Sequence, residues 1–227
     1  MATLFGIFAG NASAVEFKML NSSGVWTGTS GGDNVTGIGT NEVRWGGIIL
    51  SQKSGLRFDG TGEKTFEVDE NFQVGTLTHF NNNIGFNNSA DSAELEIGLL
   101  LSELGEDKLF NFSFGIDETT NVEPCTYPSD TPCSDKISFP SAFPEESFSF
   151  MGENYTLKLL GFGDSADNFE EGFISQEGGT NSTFLFAQIT EDPDGGGGTV
   201  IPEPMTILGS FAAIGIGGLI KKKNSKN

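Results

Sequence analysis

The chain has 227 residues, among them 21 Phe and 32 Gly, and its 31 acidic residues outweigh 12 basic ones for a formal net charge of −19. Such a balance argues against nucleic acid and anionic membrane surfaces as partners, because both would be repelled. Cations, neutral glycans and other proteins stay open, and solubility alone is the plainest use of the charge.

Taken in chain order, Leu4 to Ala9 forms a short apolar stretch, and Ala12-Ser13-Ala14 fits the small-residue cleavage pattern of a secretory signal. The first positive charge is Lys18, so the basic segment that normally opens such a signal is missing. Residues 1–14 are therefore read as a signal-peptide remnant, with a translation start upstream and a mature protein beginning near Val15. Residues 15–191 are long enough for one domain with a substantial core.

That body reads as β throughout. Asn111-Phe112-Ser113-Phe114-Gly115-Ile116 puts Phe112, Phe114 and Ile116 on one face, and Ser147-Phe148-Ser149-Phe150 and Tyr155-Thr156-Leu157-Lys158-Leu159 alternate likewise. In Thr183 to Ile189, Phe184, Phe186 and Gln188 lie opposite Leu185, Ala187 and Ile189. Period-two patterning broken by Asn, Gly, Asp and Pro signals half-buried antiparallel strands. Ala90 to Glu106 is the one helix-like candidate, and its Leu95-Glu96-Ile97 alternation fits a strand equally well. The predicted fold is an antiparallel β-sandwich of jelly-roll type.

Cys125 and Cys133 stand close together in a stretch rich in Pro, Ser, Thr and Asp, and this short separation predicts one structural disulfide for an exported protein. Residues 192–200, with Gly195 to Gly198 at their centre, form a flexible linker. Beyond it lie Pro202-Glu203-Pro204, an apolar run over 205–220, and a basic tail over 221–227 led by Lys221, Lys222 and Lys223. As a helix the apolar run would extend roughly 24 Å, short of the ~30 Å hydrocarbon core of a bilayer. It also carries Gly209, Gly215, Gly217 and Gly218, so a transient membrane stop suits it better than a lasting anchor. The lysines hold the C-terminus in the cytoplasm, leaving the body on the far side. With the four tail lysines set aside, 8 basic residues face 31 acidic ones, a net charge near −23.

The order Pro-Glu-Pro, apolar run, basic stop resembles the PEP-CTERM sorting signal of Gram-negative bacteria, and the resemblance implies recognition by an exosortase-type processing enzyme. Within the body, Ser23-Gly24-Val25-Trp26-Thr27, Asn41-Glu42-Val43-Arg44-Trp45-Gly46, Ser54-Gly55-Leu56-Arg57-Phe58 and Thr78-His79-Phe80-Asn81 follow in order. With Tyr155 to Phe162 and Leu185 to Ile189, this series resembles the THxN family, also described as the choice-of-anchor K domain. The resemblance covers about Val15 to Ile189 and implies an exported, surface-associated bacterial protein; it leaves the molecular activity blank.

Residues that could carry chemistry are few. His79 is the only histidine, and no Gly-x-Ser-x-Gly, His-Glu-x-x-His or phosphate-cradling pattern accompanies it. It is read as structural, at a strand end, its ring bonded to a backbone carbonyl while Thr78 and Asn81 fix a turn. Glu94 with Glu96, and Glu170 with Glu171, offer carboxylate pairs that chance supplies in so acidic a chain. No catalytic residue and no metal ligand is assigned. One structural calcium is kept as an alternative to no cofactor, with Asp164-Ser165-Ala166-Asp167-Asn168 and Asp59-Gly60-Thr61-Gly62-Glu63 as incomplete oxygen-rich loops. Trp26 and Trp45 are expected in the core, or else on a sugar-stacking platform.

These readings converge on a non-enzymatic protein that crosses the inner membrane transiently and ends on the cell surface or in extracellular matrix. Its expected partners are the processing enzyme and then exopolysaccharide or other surface proteins, not nucleic acid. A carbohydrate-binding or adhesive module is the first alternative and an extracellular hydrolase the second.

Overall fold

A computed structural model describes residues 15–129, 132–139 and 145–192. The signal remnant, Pro202, Glu203, Pro204, the apolar run and Lys221, Lys222 and Lys223 lie outside the described residues. Among those described, no helix is long and apolar enough to cross a membrane.

Strands numbered in chain order build two antiparallel sheets. The first contains β1 (Glu16–Gly31), β4 (Lys64–Glu67), β6 (Ala90–Leu101), β7 (Glu106–Asp117), β8 (Asp135–Ser138) and β12 (Gly172–Ser175). Their spatial order is β12-β8-β7-β6-β1-β4. The second contains β2 (Glu42–Gly46), β3 (Lys53–Gly60), β5 (Asn71–Asn81), β9 (Glu145–Phe150), β10 (Glu153–Ser165), β11 (Asn168–Glu170) and β13 (Gly179–Asp192). Here the order is β11-β10-β13-β5-β3-β2, with β9 paired to β10. The two sheets curl around one core, as a sandwich requires.

Alternation decides which side chains fill that core. In β6, Ala93, Leu95, Ile97, Leu99 and Leu101 are sealed from solvent while Glu94 and Glu96 face outward. The helix-like reading of this segment gives way to a strand, because every second position is apolar. Phe112, Phe114 and Ile116 of β7, and Leu185, Ala187 and Ile189 of β13, point inward as their spacing predicts. Phe184 is on the opposite face of β13 and half-exposed. In β1 a register shift between Met19 and Asn21 changes the parity, so Phe17 and Met19 face the core before it and Trp26 after it.

Rings from both sheets meet at one end of the sandwich. Phe17 of β1 lies 5.4 Å from Phe150 of β9 and 5.3 Å from Tyr155 of β10, the latter edge-on at 89°. Phe66 of β4 stacks on Phe72 of β5 at 3.9 Å and 9°. Each such buried ring contributes about 1.5–3 kcal/mol through its area alone, and aromatic pairing adds about 0.5–1.5. Further along, Phe58 of β3 lies between Gly24 of β1 and Gly75 of β5, where any Cβ would strike its ring. Only glycine allows strands to pass a ring that closely.

Candidate functional site

The Thr-His-x-Asn element occupies the end of β5 and ties strands together instead of fixing a turn. Thr78 is paired with Ser182 of β13, and their hydroxyl oxygens are 2.9 Å apart. Asn81 donates its side-chain N–H to the carbonyl of Ser175, 2.9 Å away on β12 in the opposite sheet. His79 departs from expectation: it is fully buried, and neither ring nitrogen has a hydrogen-bond partner, so the predicted bond to a carbonyl is not made. Burial first, and the nearby Arg44 charge second, push its pKa down to about 3. The ring is therefore neutral at pH 7.

Past the last residue of β5 the interior turns polar. Glu118 follows β7, Asp135 opens β8, and Glu177 sits in the turn between β12 and β13. All three are buried, at 6%, 0% and 7% exposure. One carboxylate oxygen from each lies within 4.8 Å of the other two. β7 pairs with β8 and β8 with β12, which brings together residues distant in sequence.

This cluster is poorly satisfied. Asp135 Oδ1 accepts the Thr119 backbone N–H at 2.7 Å, but Asp135 Oδ2 and both side-chain oxygens of Glu118 and Glu177 have no partner. The Ser89 hydroxyl beside Glu118 donates instead to the Ala90 carbonyl, 3.1 Å away. The Asn81 side-chain N–H faces Asp135 and that of Asn121 faces Glu177, each favouring the ionised acid, while both amide oxygens lack a donor. Burial, then the Asp135 and Glu177 charges, hold the Glu118 carboxyl well above its ordinary pKa. Burial raises Asp135 and Glu177 as well, although the Thr119 N–H pulls Asp135 partly back. Unpaired charges in such surroundings either take up protons or bind a counter-ion.

The connection between β7 and β8 carries the disulfide. Cys125 and Cys133 are bonded at 2.05 Å, with Cα atoms 5.3 Å apart. The loop is anchored on the β12–β13 turn, where Ser134 donates to the Gln176 side chain at 3.2 Å and Gln176 donates to the Pro132 carbonyl at 3.0 Å. Tyr127 donates its hydroxyl proton to Asp117.

Other residues singled out in the sequence lie elsewhere. Asp164 and Asp167 are exposed around the tight turn from β10 to β11. Asp59 pairs with Arg57 at 2.7 Å and Glu63 with Lys18 at 2.9 Å. Glu94 accepts a hydrogen bond from Ser113, at 2.9 Å on the outer face. Trp26 and Trp45 are both fully buried, and the Trp26 ring N–H donates to the Asn41 carbonyl at 3.0 Å. No protein-family model matches this chain, and no curated protein sequence matches it.

Proposed function

We propose that this protein is a non-enzymatic component of the bacterial cell surface or extracellular matrix, exported and then processed through a PEP-CTERM-type signal. Pro202-Glu203-Pro204, the apolar run and Lys221-Lys222-Lys223, in that order behind a Gly-rich linker, are the observation that carries the reading. The THxN-like series in the body agrees with it, as does an all-β body of two antiparallel sheets with a disulfide suited to an oxidising compartment. Of the residues named for the alternatives, Trp26, Trp45 and His79 are buried, while Glu94, Glu170 and Glu171 are exposed.

Mass spectrometry of the protein from its native host, fractionated into membrane, surface and medium, tests the proposal. A species ending near Pro204, recovered outside the membrane, is the expected result. An intact C-terminus held in the membrane fraction would overturn the processing step.

A further inference from the structure

We propose that the loop joining β2 to β3 docks on an uncharged, zwitterionic lipid surface, with Ile48, Ile49 and Leu50 entering the acyl layer. These consecutive side chains are 87%, 59% and 59% exposed, and no other described stretch exposes large apolar residues in a row. Single exposed apolar residues are ordinary, but three at one loop tip mark a contact surface. The loop is braced so that they stay outside the core. Gln52 donates its backbone N–H to the Ile49 carbonyl at 2.9 Å, and the Asn82 side chain donates to the Lys53 carbonyl at 2.7 Å. Ser54 donates its hydroxyl to the Asn82 carbonyl at 2.9 Å. Beneath the loop the space is already filled, since Ile84 packs where a Cβ on Gly46 would strike it, and Trp45 is fully buried.

Size, charge and place decide what the tip meets. Three residues fall far short of the roughly 20–30 a side that a specific protein interface uses, whereas shallow lipid insertion needs no matching shape. Neither Val43 to Phe58 nor Asn71 to Ala90, the segments around the loop, contains an Asp or Glu, in a chain with 31 acidic residues. A cavity of about 440 Å3 beside the loop is lined by Ser51, Gln52, Asn82, Asn83 and Asn88, and no charged residue lines it among those described. Amides and hydroxyls of this kind hydrogen-bond the phosphodiester and ester oxygens of a headgroup. Arg44 is paired with Glu42 at 2.9 Å, and Lys53 is buried and donates to the Asn34 carbonyl, so neither calls for an anionic lipid. The net charge of −19 opposes an anionic bilayer as well.

The loop also stands clear of the chain's own ends. β3 starts beside the end of β5, and the end of β5 lies beside the start of β13. From there β13 runs 14 residues, roughly 45 Å, to Asp192 at the other end of the sandwich. Val15 and Ile189 lie together at that far end, where they accept the N–H groups of Val68 and Asp69. Moving one Ile or Leu side chain fully out of water favours the bilayer by roughly 10- to 100-fold, so the three act much like a single acyl chain, reversibly. This inference does not depend on the sorting signal.

The test uses the full-length protein and phosphatidylcholine vesicles. Cys125 and Cys133 are the only cysteines and are bonded to each other, so an introduced thiol can be labelled alone. A nitroxide placed at Ile48→Cys should lie about 5–10 Å below the headgroup boundary by electron paramagnetic resonance. The same label at Met151→Cys, an exposed site in the β9–β10 turn at the opposite end, should stay in water. Adding Ile49→Ser and Leu50→Ser to the chain labelled at position 48 should return its label to water, with Tm unchanged because neither side chain is in the core. Vesicles rich in phosphatidylglycerol should bind less protein than phosphatidylcholine alone. A label at position 48 that stays in water, or immersion at position 151 instead, overturns the docking tip. Label-to-label broadening at position 48 without vesicles would replace the bilayer with a second copy of the chain. Equal binding to the anionic vesicles overturns the choice of an uncharged surface.

Discussion

The two ends of the sandwich are closed in opposite ways. At one, Phe17, Phe66, Phe72, Phe150 and Tyr155 interlock across the sheets, and each ring finds its neighbours within the chain. At the other, Asn81, Glu118, Asp135 and Glu177 converge and leave most of their oxygens unpaired. Apolar surface is satisfied by any well-shaped apolar surface, so the first end completes itself. Among the described residues no ion pair reaches these acids, so burial holds their carboxyls toward the neutral, protonated form. The first end is held by apolar packing, whereas the second is set by the protonation of buried acids.

The contrast can be broken most forcibly at Phe17. Phe17→Ala removes a ring packed against both sheets and should cost about 3–5 kcal/mol in urea unfolding. A loss below about 1 kcal/mol would mean that the aromatic end is not where the sheets are held. Next comes acid. His79 is neutral in the native state down to about pH 3, whereas the unfolded chain protonates it below about 6.5. The unfolded state therefore binds more protons in that window, and stability falls as pH drops through it, by about 1.4 kcal/mol per unit. His79→Leu should remove this share, so that at pH 4.5 the variant gains about 2.5–3 kcal/mol on the wild type relative to their difference at pH 7. Parallel pH dependences of the two proteins would show that His79 already titrates normally. The smallest effect is expected from reducing Cys125–Cys133, about 2.5 kcal/mol for so short a loop. Hydrogen exchange should confine the loosening to the β7–β8 connection and the β12–β13 turn, and equal loosening around Phe17 would contradict the separation of the two ends.

Much of the sandwich was legible because a strand's periodicity is local. Phe112, Phe114 and Ile116, or Leu185, Ala187 and Ile189, declare their inward face within seven residues, whatever strand pairs with them. Ala90 to Glu106 stays open between helix and strand in the sequence, and the pairing of β6 with β1 and β7 decides it. The disulfide was legible from spacing. The carboxylate cluster was not, because its members meet only through the lateral order β7-β8-β12 and the turn before β13, which no local pattern encodes. Nothing distinguishes Glu118, Asp135 and Glu177 among 31 acidic residues. Asn81 alone was marked in advance, by its place in Thr-His-x-Asn, and its role proved to be a tie between sheets. The missing partners of His79 were equally hidden, since a ring's hydrogen bonds depend on what faces it across the core.

The outermost strands have a bearing on crowding. β4 and β12 border the first sheet with four residues each, and β2 and β11 border the second with five and three. The six-residue β9, also at a margin, begins with Glu145 and Glu146. Short or charged rims present few free backbone groups to a neighbouring molecule, which limits strand-to-strand growth into fibres. Many copies of this domain can therefore be packed at high density and still remain separate particles.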